Sequence, residues 1–294
     1  MNGRNTAKGA VAVFASLLAL RGHSGTIDLD LQAAVADLGP REKVDVIVRC
    51  ADPVDPETIG ADQRGAKRTR LVKALRERAT LCERLLAKGL ATAESEGDKG
   101  LWLTNAVAAT LRADRIGQLA DRPGVARISL NRTIELIREP AAPVSTGQVA
   151  AAGFAWWNLS DIRIPDLWAI GYDGAGVVVA TLDTGVDINH PALAPNWRGG
   201  ANSWFDPSGE HPLPHDADGH GTAVMGLLVG GDSSGVTIGA APGAQWIAAK
   251  IFDDSGVSDI ASIHQAYQWI LDPDGDPATD DAPDIVNNSW ALPQ

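Results

Sequence analysis

Hydrophobic positions recur along this chain with three periods, and each predicts an element. Between Lys43 and Cys50 they alternate, with Val44, Val46 and Val48 on one face, the pattern of a strand packed on a core. From Arg64 to about Ser95, Leu71, Leu75, Cys82, Leu85, Leu86 and Leu90 approximate the apolar stripe of a long helix with an Arg- and Lys-rich outer face. Trp102 to Leu111 reads as a second strand that contains Thr104-Asn105. Asp114 to Asp121 reads as a short helix stopped by Pro123-Gly124, and Val125 to Leu136 as a third strand. The pattern then changes. Val177 to Leu182 is a continuous apolar run, as in a strand buried on both faces of a parallel sheet. His220 to Gly230 predicts a buried helix of small residues, with Gly221, Gly226 and Gly230 allowing close packing. Ser258 to Leu271 predicts a helix with Ser258 as its N-cap.

These elements divide the chain into a small α+β domain over residues 42–137 and a larger α/β part over residues 154–294. Between them, residues 138–153 carry the Pro- and Gly-containing composition of an exposed linker. The start, residues 1–25, has basic Arg4 and Lys8 before a short apolar run to Leu20, which resembles a secretory signal peptide. No segment reaches the eighteen or so apolar residues of a membrane span. Trp156, Trp157 and Trp168, which open the larger part, read as packing aromatics.

Composition supports a globular chain: 294 residues, 45% hydrophobic and 21% charged. Its net charge of −12 is unevenly spread, +4 over residues 1–139 and −16 over residues 140–294. Two parts of opposite charge are suited to meeting each other. Phosphate contacts need Lys and Arg, so the acidic half argues against nucleic acid as a partner. The two cysteines, Cys50 and Cys82, could pair, but two such residues define no disulfide scaffold and read as packing positions on a strand and a helix.

Chemistry concentrates in the acidic half. The run from Val177 ends at Asp183, followed by Thr184-Gly185, where glycine frees the backbone to turn. A carboxylate at the carboxyl end of a parallel strand stands where open α/β sheets place their sites, although Asp is also common in plain turns. His220, in Asp218-Gly-His220-Gly-Thr, opens the glycine-spaced helix. An acid at a strand end can orient an imidazole at a helix start, leaving the imidazole to act as general base. The polar stretch from Asn196 to Asp218 holds Asp206, Glu210, His211, His215 and Asp216, but no metal-ligand spacing stands out, and it reads as a solvated loop. Asp272 to Asp281 has Gly275 in the wrong place for a calcium loop and reads as an acidic surface loop.

The Asp183 and His220 motifs, in that order, resemble those of subtilisin-like serine peptidases. Ile238–Lys250 resembles the strand that follows the His helix in that family. Asp284-Ile-Val-Asn-Asn-Ser289-Trp290-Ala291 resembles its substrate-binding strand, with Ser289, Trp290 and Ala291 beside the S1 pocket. Asp161-Ile-Arg163, Leu167-Trp168 and Gly171–Gly174 make the likeness closest to bacillopeptidase F-like members. The resemblance implies a partial subtilisin-like parallel sheet with flanking helices, preceded by a small α+β ferredoxin-like propeptide that acts as chaperone and inhibitor. It also implies a secreted endopeptidase acting on polypeptides through an Asp-His-Ser relay, with its own propeptide as a partner of the catalytic domain. It leaves calcium open as a cofactor, although Ala192 replaces an Asp that ligates calcium in some relatives. Ala223 replaces the usual second His of the His motif, and His190 belongs to a structural turn.

One departure bears on activity. The family's nucleophile follows in a Gly-Thr-Ser segment, after an oxyanion Asn, and neither occurs before Gln294; Gly25-Thr26 and Gly221-Thr222 lack the Ser. Without an attacking atom there is no acyl-enzyme. The chain as it stands is therefore expected to be inactive alone. Two other readings stay open: a non-catalytic inhibitor or chaperone module, and one half of a split peptidase.

Overall fold

The computed structural model describes residues 25–60, 64–90, 99–137, 157–232 and 235–291. The signal-peptide-like start and the linker over 138–153 lie outside the described residues. In chain order the elements are β1 (Thr26–Ile27), α1 (Leu29–Ala36), β2 (Lys43–Cys50), α2 (Arg64–Leu90), β3 (Lys99–Leu101), β4 (Ala106–Arg112), α3 (Ile116–Ala120) and β5 (Val125–Leu130). They continue with β6 (Thr133–Glu135), α4 (Trp157–Asp161), α5 (Ile164–Ala169), β7 (Val178–Asp183), β8 (Trp204–Phe205), α6 (His220–Val229), β9 (Gln245–Lys250), β10 (Val257–Asp259), α7 (Ile260–Leu271) and β11 (Ile285–Asn287). Contacts group the residues into two compact units.

The first unit comprises residues up to Pro53, Thr80–Gly100 and Asn105–Leu130. Its sheet has the order β1-β5-β2-β4-β3, with β2 antiparallel to both β4 and β5. Val46, Val48, Val107, Ala109, Leu111 and Ile128 form its core with Cys82 and Leu86 of α2. The buried stripe of α2 is Val72, Leu75, Ala79, Cys82 and Leu86, a regular three-and-four spacing, while Leu85 stays 37% exposed. The predicted strand over 102–111 is broken. Asn105 takes a left-handed φ of 52° and donates its side-chain amide to the Ala51 carbonyl at 3.0 Å. Cys50 and Cys82 are not mere packing residues: they form a disulfide, with Cα atoms 5.8 Å apart and a sequence separation of 32. A loop of that size implies roughly 3–4 kcal/mol from chain entropy.

The second unit comprises Val54–Ala79, Leu101–Thr104 and Asn131–Gln294. Its centre is a four-stranded sheet, β11-β7-β9-β8, parallel throughout. Ala180, Leu182, Ile247 and Ala249 face Ile263, Ala266 and Trp269 in one core cluster. Val179, Trp246 and Ala248 face Leu193, Met225 and Val229 in the other, which explains why β7 reads as apolar on both faces. Trp246 is fully buried, and its indole N–H reaches the Leu193 carbonyl at 2.7 Å. The stretch over 196–218 is not simply solvated, because β8 pairs with β9 and carries buried Ser203 and Trp204 inward. The third predicted strand splits at Asn131. Residues 133–135 leave the first sheet and pair antiparallel with β10. The N-cap of α7 is Asp259, one residue later than expected, whose carboxylate accepts from Ser262 N at 2.6 Å.

Candidate active site

Strand β7 ends at Asp183 because Gly185, at φ 115°, turns the chain where a side chain's first carbon would overlap the carbonyl of His215. Helix α6 begins at His220 and comes against that turn through Gly221, where an added carbon would overlap the Gly185 carbonyl. Small residues on both elements therefore allow the contact. His220 Nδ1 lies 2.7 Å from Asp183 Oδ1, which also accepts the Thr184 N–H at 2.7 Å. Asp183 is 1% exposed and His220 40% exposed at the side chain. With Nδ1 held by the carboxylate, Nε2 is the nitrogen left to exchange a proton.

The electrostatics follow from burial. Removing Asp183 from water pushes its carboxyl above the usual carboxylate range, and the hydrogen bonds from His220 and Thr184 only partly oppose this. Its Oδ2 is buried without a hydrogen-bond partner. Asp216, 33 residues on in sequence, stabilises the arrangement. It accepts from Thr184 Oγ1 at 2.9 Å, from Thr222 Oγ1 at 2.6 Å and from the Thr222 and Gly219 amides at 2.8 and 2.9 Å. Burial alone would raise the Asp216 carboxyl, but these bonds outweigh it and hold it low. Thr184 Oγ1 in turn accepts the Gly221 N–H at 2.8 Å, so strand end and helix start are joined by one network. Lys250 lies in register with Asp183 on β9. Its buried ammonium bonds to the carbonyls of Thr184 and Phe252 at 3.1 and 2.9 Å.

Sequence reasoning missed Asp216 and Lys250. The signal for Asp216 was its position four residues before a helix start; for Lys250, a lone cation at the end of an apolar strand, nothing local told it from a surface residue. The sequence-predicted residues are only partly brought together. Asp183 and His220 meet, whereas Ser289, Trp290 and Ala291 follow the end of β11 and none hydrogen-bonds to that pair. Ser289 Oγ accepts from Asn287 Nδ2 at 2.9 Å, and the Trp290 ring packs edge-on to Phe252 with centroids 6.4 Å apart. The two places the sequence raised for calcium differ: in the acidic stretch, Asp272, Asp274 and Asp281 bring one carboxylate oxygen each within 4.8 Å of the others. Ala192 is buried without a donor side chain. Asp272, expected on the surface, is 1% exposed at its side chain and sits 2.7 Å from the Arg76 guanidinium.

Three comparisons bear on this geometry. Residues 174–293 match the family described as the subtilase family. Bacillopeptidase F of Bacillus subtilis (strain 168) is 34% identical over 246 residues, covering 76% of this chain and 17% of that protein. Residues 174–293 belong to the subtilase family. Subtilisin E of the same organism is 34% identical over 167 residues, 57% of this chain and 39% of its own length. The chain thus spans well under half of either relative. Two solved structures share the subtilase fold. Fervidolysin from Fervidobacterium pennivorans, a keratinolytic enzyme related to subtilisin, has a TM-score of 0.52 at 18% identity over 92% of this chain and 38% of its own. The epidermin leader peptide processing serine protease of Staphylococcus aureus has a TM-score of 0.56 at 16% identity over 85% and 51%. The α/β architecture of the second unit, with its parallel sheet and flanking helices, is subtilisin-like. Among the described residues no helix is long and apolar enough to cross a membrane.

Proposed function

We propose that Asp183 and His220 are the acid and base of a serine endopeptidase relay that hydrolyses polypeptides. The reading rests on one observation: a buried carboxylate 2.7 Å from Nδ1 of a solvent-accessible imidazole, on a strand end and a helix start of a subtilase segment. His220 Nε2 takes the proton of a serine hydroxyl as its oxygen attacks the scissile carbonyl carbon, then returns it to the leaving amine. Asp183 keeps the proton-bearing Nδ1 turned inward and stabilises the imidazolium while it lasts. In this reading the attacking hydroxyl and the oxyanion donors come from outside the described residues, and activity requires them.

Extended polypeptide binds by strand addition, with the backbone around Ser289, Trp290 and Ala291 on one side. Support for an edge open to such addition comes from β10, which pairs antiparallel with Thr133–Glu135; Leu136 N also donates to Gly256 O at 2.9 Å. Ile134 is buried there among Ile263, Phe252 and their neighbours. Residues 42–137 serve in this reading as a propeptide whose last strand holds the place of substrate, cleavage following within 138–153, and residues 1–25 direct export. The same pairing favours one second reading, an inhibitor module that blocks a related peptidase in trans.

The test is casein hydrolysis and fluorophosphonate labelling by the complete polypeptide that carries the serine. Both are expected, with hydrolysis abolished by His220→Ala. Full hydrolysis by that variant removes the proposal. Potent inhibition of an active subtilase by residues 42–137, with no labelling of the complete polypeptide, selects the second reading.

A further inference from the structure

A second group of imidazole and carboxylate donors lies apart from the Asp183–His220 pair. His211 and His215 come from the stretch between β8 and α6, and Asp254 from the turn after β9. His211 Nε2 is 3.0 Å from Asp254 Oδ2, and the two imidazoles stack with centroids 4.0 Å apart. One donor atom from each of the three side chains lies within 4.8 Å of the others. Each of their backbones is fixed by a contact of its own. The His211 amide donates to Asp206 Oδ2 at 2.9 Å, and its carbonyl accepts the Trp204 indole N–H at 2.9 Å. The His215 carbonyl is seated against Gly185. The Asp254 amide donates to Glu210 Oε2 at 3.0 Å, while Lys250 Nζ orients the other Asp254 oxygen from 3.0 Å.

We propose that His211, His215 and Asp254 bind a divalent transition-metal ion of the zinc class. Two imidazoles and one carboxylate are the donor set that zinc takes when one position is left for water, and imidazole disfavours calcium and magnesium. Ligand atoms around tetrahedral zinc lie roughly 3.3 Å apart, given metal–ligand distances of about 2.0–2.1 Å. The group must therefore contract, and the exposed His215 side chain can turn toward the His211–Asp254 contact to do so. Two of the three are also held from behind: Lys250 pairs with the Asp254 carboxylate, and Asp206 and Trp204 fix the His211 backbone. Once bound, the ion joins the stretch that leads to Asp216 and His220 to the turn that follows Lys250.

The 294-residue chain, stripped with chelator and exchanged into chelator-free buffer, is titrated with Co²⁺ followed by its visible absorption, and with Zn²⁺ by calorimetry. One equivalent of each is expected, with Zn²⁺ displacing Co²⁺ and Ca²⁺ failing to. At a hundredfold excess over Kd, Zn²⁺ should raise Tm by roughly 5 °C. His215→Gln and Asp254→Asn, both at exposed positions and checked for folding by circular dichroism, should each weaken binding at least about tenfold. His220→Ala should bind as the wild type does. No binding by the wild type, unchanged binding by a folded His211→Ala/His215→Gln chain, or loss of the site in His220→Ala overturns the proposal.

Discussion

The molecule holds two histidine–aspartate contacts of nearly the same length and opposite character. His220 meets Asp183 at 2.7 Å and His211 meets Asp254 at 3.0 Å, yet the Asp183 side chain is 1% exposed and that of Asp254 is 40% exposed. Burial drives the Asp183 carboxyl up despite its hydrogen bonds. Hydrogen bonds from Lys250 and then His211 drive the Asp254 carboxyl down, because little water is lost there. Separation alone therefore does not tell a relay from a surface pair. What sets them apart is the environment of the acid: the inner pair keeps a costly anion beside an imidazole, which a structural ion pair has no need to do.

Four outcomes would sharpen or break that contrast. In a polypeptide that completes the proposed relay, His220→Ala should lower kcat on the order of 10⁶-fold, as removal of the base does in subtilisin. Asp183→Asn should lower it by about 10⁴-fold, because the amide can favour the wrong tautomer; initial rates on casein check both. Gly221→Ala, which puts a carbon against the Gly185 carbonyl, should cost roughly 1–3 kcal/mol in urea unfolding and disturb the pair.

The smallest effect concerns sign. With its folded carboxyl above the ordinary value, Asp183 holds more protons folded than unfolded in the window between the two, so its contribution to stability falls as pH rises through that window. Asp183→Asn should therefore leave Tm at pH 7 equal to or above that of the wild type. Asp254 is depressed, so its contribution is present above the ordinary carboxylate value and lost as pH falls through the folded one. Asp254→Asn should cost no more than about 1 kcal/mol at pH 7 and nothing in acid. Thermal melts of both variants from acid to neutral pH test this; the same sign for both would show the two pairs to be alike.

How legible this was differed by element. Strand β7 could be placed to within a residue because four apolar side chains in a row need cover on both faces, whatever covers them. The start of α6 followed from the glycines around His220. The break at Asn105 was not legible, since it depends on the Ala51 carbonyl half the domain away in sequence. Nor was the splitting of the third strand, because Ile134 is buried by Ile263 and Phe252 rather than by its own sheet. Pattern identifies what must be covered; it does not identify the cover.

The amino-acid order by itself determined that an apolar parallel strand ends in Asp183 and that a glycine-spaced helix opens with His220, because period and turn chemistry are local properties. Only the tertiary structure decided that their side chains meet at 2.7 Å, that Asp216 and Lys250 fix them, and that Cys50 and Cys82 are bonded. The contacts that join Cys50 to Cys82, Asp183 to His220, Asp216 to Thr184, and Lys250 to Asp183 and Thr184 span 32 to 67 positions in sequence, and such pairs come together through the packing of whole elements, which no local pattern encodes.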